Sequence, residues 1–277
     1  MTLILWNERI VKREEVQIDI EDRGYQFGDG VYEVIRVYHG KPFQLDEHLE
    51  RLERSLNEIR LALPYPMEDF KHLLQQLLDK DPVTDGIIYL QVTRGNALRS
   101  HAFPSEAKSV VTAYTREMPR PTKSLAEGIG AHLTNDIRWL RCDIKSLNLL
   151  GNVLAKQEAL DNDCGEALFH RGDIVTEGSS SNVFIKKDGA WLTHPANHLI
   201  LNGITRRFVM RLMADLEMPV KEEAFKIADL LNADEVIITS TTQEVMPVVS
   251  IDGEPVGNGE VGEWTRSLQN AFERHIS

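Results

Sequence analysis

Cysteine is scarce in this chain of 277 residues: only Cys142 and Cys164 occur. Two thiols are too few for a disulfide framework, and nothing near them has zinc-ligand spacing. Both are therefore expected reduced and no metal is expected; Cys142, close to Lys145, could line a site or fill a small apolar gap. Long hydrophobic runs are also missing. None approaches the ~20 apolar residues of a membrane span, and the start M-T-L-I-L-W-N-E-R-I has neither a basic leader nor an apolar core of secretory length. The expectation is a soluble, cytoplasmic protein that makes no use of a membrane. Positive charge is in deficit, with 31 Lys plus Arg against 43 Asp plus Glu and a formal net charge of −12. Such a surface repels a phosphate backbone, which excludes general nucleic-acid binding, so any anionic cofactor must meet a local basic patch. No G-x-x-x-x-G-K-[ST] loop is present, and Gly28-Asp29-Gly30 lacks the further glycine and helix of a dinucleotide fingerprint. Nucleoside triphosphates and NAD are set aside. Internal repeats and low-complexity segments are absent as well.

What is there reads as two domains. Residues 1–117 suit a small α+β domain. Val16 to Ile20 and Val31 to Val37 are patterned as strands. A helix capped by Asp46 carries Leu49, Leu52, Leu56, Ile59 and Leu63, and a second carries Phe70, Leu73, Leu74, Leu77 and Leu78. Strand-like Ile87 to Thr93 and Val110 to Thr115 complete the unit. Met118-Pro119-Arg120-Pro121-Thr122 reads as a linker, because two prolines one residue apart resist both helix and central strand. Residues 123–277 then form a larger domain that includes Lys145. It has strands at Ala167 to His170, Asn182 to Ile185 and Glu235 to Thr239, helices over Ser146 to Asp161 and Gly203 to Glu217, and a last helix from Glu263.

The chemistry concentrates between Asp136 and Asn182. A lone lysine sits in I-R-W-L-R-C-D-I-K-S-L-N-L-L-G-N, and about thirty positions later a carboxylate sits in T-E-G-S-S-S-N. A lysine amine forms a Schiff base with an aldehyde cofactor, while a carboxylate against a pyridine nitrogen keeps that nitrogen protonated. Lys145 and Glu177 are the candidates, and pyridoxal phosphate is the cofactor such a pair serves. Ser146 could cap a helix with Leu147, Leu150 and Leu154 on one face. That would fix the lysine at a helix entrance, with Ile144, Leu140 and Trp139 as apolar surroundings. A surface lysine beside a core helix is the competing reading. Leu201-Asn202-Gly203-Ile204-Thr205-Arg206 opens a helix whose free N–H groups could meet a phosphate, with Thr205 adding a hydroxyl. Thr239-Ser240-Thr241-Thr242, after the apolar run Val236-Ile237-Ile238, is a second phosphate candidate, although clustered hydroxyls also make ordinary turns.

Three segments, R-G-Y-Q-F-G-D-G-V-Y-E-V at Arg23 to Val34, R-W-L-R-C-D-I-K-S-L-N-L-L at Arg138 to Leu150, and T-E-G-S-S-S-N-V-F at Thr176 to Phe184, resemble the fold-type IV pyridoxal phosphate enzymes. Within that group the chain is similar, nearly end to end, to the D-amino acid aminotransferases. The resemblance implies a small N-terminal α+β domain and a larger C-terminal domain around a barrel-like sheet. It places pyridoxal 5'-phosphate where the two meet, with a homodimer in which loops of the partner reach the substrate. It implies that Lys145 holds the cofactor and moves a proton between the substrate Cα and the cofactor's C4′, and that Glu177 holds the ring nitrogen. It also makes Arg51 a phosphate ligand, with Ile204, Thr205 and Thr241 as further donors. The residues alone suggest otherwise for Arg51, which lies four positions after Glu47 on a polar helix face and reads as half of a solvated ion pair.

Branched-chain L-amino acid aminotransferases and aminodeoxychorismate lyases share the lysine, the glutamate and the fold, so the substrate carboxylate site must discriminate. In T-R-G-N-A-L-R-S-H-A-F-P, Arg99 can bind a carboxylate through paired N–H groups and His101 can add a donor. Tyr32, in G-V-Y-E, would complete the set with its hydroxyl, and this combination resembles the D-specific enzymes. The expected reaction is ping-pong transfer of the amino group from D-alanine and other D-amino acids to 2-oxoglutarate, giving pyruvate and D-glutamate. A branched-chain L-amino acid aminotransferase or an aminodeoxychorismate lyase are the alternatives. A catalytically idle cofactor-binding protein would have no reason to keep Lys145, Glu177, Arg99 and His101 together.

Overall fold

The computed structural model describes residues 3–106 and 108–277, and counts below refer to these. The backbone divides into two compact units, Met1–Pro119 with Ile144–Asn148, and Arg120–Asp143 with Leu149–Ser277.

The first unit runs β1 (Leu3–Trp6), β2 (Arg9–Lys12), α1 (Arg23–Phe27), β3 (Gly30–Tyr38), β4 (Lys41–Pro42), α2 (Leu45–Glu58), α3 (Met67–Lys80), β5 (Gly86–Thr93) and β6 (Val110–Glu117). Its strands form one sheet in the order β2-β1-β6-β5-β3-β4, antiparallel throughout. Strand alternation sorts the side chains. Val31, Ile35 and Val37 of β3, Ile88, Leu90 and Val92 of β5, and Val111 and Ala113 of β6 are all buried in the core with Leu52 and Leu56 of α2 and Phe70, Leu74 and Leu77 of α3. Tyr32, Val34, Arg36 and Tyr38 therefore take the opposite face.

Two sequence expectations fail in this unit. Val16 to Ile20 is not a strand. Asp19 closes a turn there, its carboxylate accepting from the Glu21 N–H and its carbonyl from the Asp22 N–H. Ile18 and Ile20 are left exposed, because alternation supplies a period but no partner strand. Asp46 does not cap α2. The N-cap is Gln44 in the left-handed region at φ 54°, and Asp46, inside the first turn, pairs with Lys71 at 2.5 Å.

The second unit contains α4 (Thr122–Glu127), β7 (Ile129–Asn135), α5 (Leu150–Asp161), β8 (Glu166–Arg171), β9 (Ile174–Gly178), β10 (Asn182–Lys187) and β11 (Ala190–Thr193). It continues with α6 (Ile204–Asp215), β12 (Val220–Glu222), α7 (Ile227–Leu231), β13 (Glu235–Ser240), β14 (Glu244–Ile251), β15 (Glu254–Pro255) and α8 (Glu263–Glu273). Its nine-stranded sheet runs β12-β11-β10-β13-β14-β7-β8-β9, with β15 beside β14. Chain length requires this sheet to curl. A flat sheet would hold β9 and β10 five strand spacings apart, about 24 Å. The link from Gly178 to Asn182 contains only three residues and spans at most about 15 Å. The sheet therefore bends back into the barrel-like form, and the Gly178 N–H donates to the Ser181 carbonyl at 2.7 Å to close the corner.

The segment around Lys145 departs most from the sequence reading. The helix begins at Leu150, not Ser146. Residues Ile144–Asn148 instead lie along β3: Ser146 forms a bridge with Val31, the Leu147 N–H donates to the Gly30 carbonyl, and the Tyr32 N–H donates to the Lys145 carbonyl at 3.0 Å. Those backbone bonds hold Ser146 out of a helix, and they place the lysine in the first unit instead of the larger one. Leu150 and Leu154 do not face a core either. They are 72% and 53% exposed, and α5 buries its small residues Ala155 and Ala159 against Ala167 and Phe169 of β8. Trp139 and Leu140 are likewise exposed, while Ile144 joins the core of the first unit.

Candidate active site

The candidate residues fall in both units. In the first, Lys145 is held by its backbone: its carbonyl accepts from Tyr32, and its N–H donates to Ser55 Oγ at 3.4 Å. Its Nζ lies 4.3 Å from the centroid of the Tyr32 ring, a cation–π distance. The amine is thus attached to a strand pairing, which is stiffer than a frayed helix start.

Beneath it is a buried ionic knot that the sequence reading missed. Glu33 points toward the helices and is fully buried. Arg51 Nε and Nη2 donate to its two oxygens at 2.7 Å each, and His48 Nδ1 lies 2.7 Å from Oε2. Burial alone would raise the Glu33 carboxyl, but Arg51 and then His48 outweigh it and hold it at about 2. Burial, only partly offset by Glu33, keeps His48 below its ordinary value. Arg51 is not the solvated residue that helix spacing suggested; it is 8% exposed, and its Nε and Nη2 grip Glu33. Parity was the readable signal, since Glu33 interrupts an otherwise apolar Val31, Ile35, Val37 face.

Arg99 and His101, both exposed, do meet. The Arg99 guanidinium carbon stands 4.7 Å from the centroid of Phe27, and the His101 ring packs edge-on against the same phenylalanine at 5.7 Å. Tyr32 has other company: its ring stacks on Tyr89, with centroids 6.0 Å apart. The three proposed carboxylate ligands are therefore placed as a pair on Phe27 and a single residue on β3.

In the second unit Glu177 ends β9 and is buried. It accepts from Arg138 Nη1 at 2.7 Å, Asn182 Nδ2 at 3.0 Å and the Leu201 N–H at 3.0 Å. Burial pushes its carboxyl above the ordinary range, opposed by Arg138 and the Leu201 N–H. Arg138 is itself fixed by Asp136, to which Nε and Nη2 each donate at 2.9 Å, and lies over the Phe169 ring at 4.3 Å. A charge-paired carboxylate of raised basicity suits the retention of a proton on a pyridine nitrogen.

The run T-E-G-S-S-S-N is built to place that acid. The buried Glu166 accepts from the hydroxyls of Ser179, Ser180 and Ser181, pinning the β9–β10 corner. A side chain at Gly178 would collide with Ser181, and one at Gly203 would collide with Asn182. Asn182 donates to both Glu177 and the Leu201 carbonyl, tying the acid to the entrance of α6. There Gly203 is the N-cap and no side chain caps the helix, so the N–H groups over Ile204 and Thr205 have no partner from within the helix. Thr241 is half-buried in the turn between β13 and β14. Beside it Thr239 Oγ1 is buried with no hydrogen-bond partner among the described residues. An uncapped 12-residue helix, an orphaned buried hydroxyl and a paired basic carboxylate in one unit fit the donor needs of pyridoxal phosphate. Cys142 takes no part in this set: its thiol donates to the Trp139 carbonyl at 3.2 Å, and burial pushes it up to about 11. Cys164 is also a buried free thiol.

Known proteins resemble the chain along its length. Residues 30–251 match the family described as amino-transferase class IV. A D-alanine aminotransferase of Staphylococcus epidermidis is 53% identical over 277 residues, covering 100% of this chain and 98% of that protein. Among solved structures, the branched-chain amino acid aminotransferase of Escherichia coli has a TM-score of 0.94 at 26% identity, covering 99% of this chain and 94% of that one. The branched-chain amino acid aminotransferase of Thermobaculum terrenum, solved in its PLP form, has a TM-score of 0.89 at 26% identity, covering 99% and 94%. The architecture is thus that of fold type IV, and the chain belongs to the class IV aminotransferases, which depend on pyridoxal 5'-phosphate.

Proposed function

We propose that the chain is a D-amino acid aminotransferase that moves the amino group of D-alanine to 2-oxoglutarate, releasing pyruvate and forming D-glutamate by a ping-pong route. One observation carries the choice of hand: full-length identity to a D-alanine aminotransferase is 53%, against 26% to the branched-chain structures that share the fold.

When bound, pyridoxal phosphate supplies an aldehyde for the amine and a ring that withdraws electrons from the substrate Cα. Lys145 would hold the cofactor through its amine, and the same amine would carry the proton to and from the substrate Cα. Its backbone pairing with β3 sets the reach of Nζ. Glu177, made more basic by burial with Arg138 opposing that shift, would hold the proton on the ring nitrogen. The N–H groups at Ile204 and Thr205, with Thr241 and Arg51, hold the phosphate. Tyr32, Arg99 and His101 take the substrate carboxylate, and the exposure of the Arg99–His101 loop leaves it available to a neighbouring protomer. A homodimer is part of the proposal: Leu150, Val153 and Leu154 give α5 an exposed apolar side suited to a second copy. Met1–Pro119 with Ile144–Asn148, and Arg120–Asp143 with Leu149–Ser277, act as the two domains. Among the described residues no helix is long and apolar enough to cross a membrane, and the reaction is assigned to the cytoplasm.

The test is the visible absorption of purified holoenzyme before and after D-alanine, with L-leucine in a parallel cuvette and Lys145→Ala as control. Loss of the cofactor band with D-alanine alone, absent in Lys145→Ala, is the expected result. Loss with L-leucine alone would transfer the chain to the branched-chain enzymes.

A further inference from the structure

Among the described residues, Arg36 is buried with all three of its guanidinium nitrogens, Nε, Nη1 and Nη2, lacking a hydrogen-bond partner. It is 1% exposed, and its guanidinium carbon lies 5.2 Å from the centroid of the Tyr38 ring. A buried guanidinium without an anion carries a desolvation cost of several kcal/mol, so a chain that keeps one has a use for the missing anion.

Its place on the sheet says which anion. Tyr32 and Arg36 lie on the same face of β3, four residues or about 13 Å apart. Register pairs Tyr32 with Gln91 and Arg36 with Ile87, so Tyr89 is diagonal to both and lies between them. Its ring stacks on Tyr32 and, at 5.2 Å, on Tyr114, and its hydroxyl donates to Gln91 Oε1 at 2.9 Å. A tyrosine-lined strip thus runs from a hydroxyl assigned to one substrate carboxylate toward an unpaired guanidinium. A five-carbon diacid has carboxyl carbons about 5 Å apart. It can bridge two long side chains that lean inward from a 13 Å separation; alanine and pyruvate cannot.

We propose that Arg36 recognises the distal carboxylate of a dicarboxylic substrate, the five-carbon 2-oxo acid and the D-amino acid formed from it. The inference rests on the aminotransferase reading above. It makes Arg36 a specificity residue: the ping-pong cycle must admit a short donor and a long diacid at one site, and the guanidinium is engaged only by the second.

The experiment compares the holoenzyme with Arg36→Met and Arg36→Lys, measuring by stopped flow the rate at which D-glutamate and D-alanine each discharge the cofactor band. The loss of a charge-assisted contact should lower the D-glutamate to D-alanine ratio of kcat/KM by about 10- to 150-fold in Arg36→Met, with partial recovery in Arg36→Lys. An unchanged ratio overturns the proposal, as does an equal fall in both rates. Should the variants fail to fold, wild-type inhibition by glutarate and butyrate decides: glutarate at least about tenfold stronger supports the assignment, and equal inhibition refutes it. A wild type inert to D-alanine would remove the aminotransferase reading itself, a result separate from either ratio.

Discussion

Glu33 keeps a negative charge in a buried place only because Arg51 and His48 hold it there, and acid should dissolve that arrangement. Its carboxyl sits at about 2 against an ordinary 4.5. A lowered folded-state value means that the stabilisation is complete above about pH 4.5 and is lost as the pH falls through 2. The gap corresponds to about 3 kcal/mol, of which about 2 kcal/mol is gone by pH 3. Urea denaturation between pH 6 and pH 3 would measure it, with cofactor removed so that ligand linkage does not enter. The comparison protein is the double variant Glu33→Leu/Arg51→Met, which removes both charges and so strands neither. Asp29 and Asp136 are also held below their ordinary range by arginines, despite burial, and titrate equally in both proteins. Subtraction therefore reports the knot as a whole, His48 included, because Glu33 and Arg51 also set the titration of that imidazole. A difference in stability between the two proteins that stays constant from pH 6 to pH 3 would refute the reasoning.

Two further outcomes are expected. Glu177→Gln keeps the shape of the corner but removes the charge, and because its amide nitrogen cannot accept it gives up the bond from Arg138 while its oxygen still accepts from Asn182 and Leu201; kcat should fall by about 10²-fold or more, while Arg138, left with Asp136, keeps the protein folded. An unaltered kcat would take the ring-nitrogen role from Glu177. Arg99→Ala should raise KM for D-alanine by about 10- to 100-fold with a smaller change in kcat, as loss of uniform carboxylate binding requires; steady-state kinetics with an unchanged KM would move the carboxylate site off the Arg99–His101 loop.

The features legible in the sequence were those that repeat locally. Three-and-four spacing at Leu49, Leu52 and Leu56 and at Phe70, Leu74 and Leu77 marks α2 and α3, and apolar runs mark β3, β5, β6, β10 and β13. What failed depends on partners distant in the chain. Val16 to Ile20 alternates like a strand but has no edge to pair with. Ser146 looks like a helix cap but is taken by Val31, more than a hundred residues earlier. The Leu150 and Leu154 spacing announces a covered face without saying what covers it, and among the described residues nothing does.

The same distinction governs the site. Lys145 and Glu177 could be picked out as residue types, because an amine and an isolated carboxylate are what the chemistry needs. Their physical condition could not, since it is set by residues that no period connects. Arg138, 39 positions from Glu177, opposes the burial that raises that acid, and Glu33, 18 positions from Arg51, keeps that arginine in place. Arg36 is the converse case. Sequence gives it no distinction on a strand that alternates tyrosine, valine and charge, and only burial without a partner reveals that something from outside the chain must complete it. A polar group buried at a cost and left unpaired points more directly to a ligand than a motif does, because the free energy that the fold gives up there has no return until the ligand arrives.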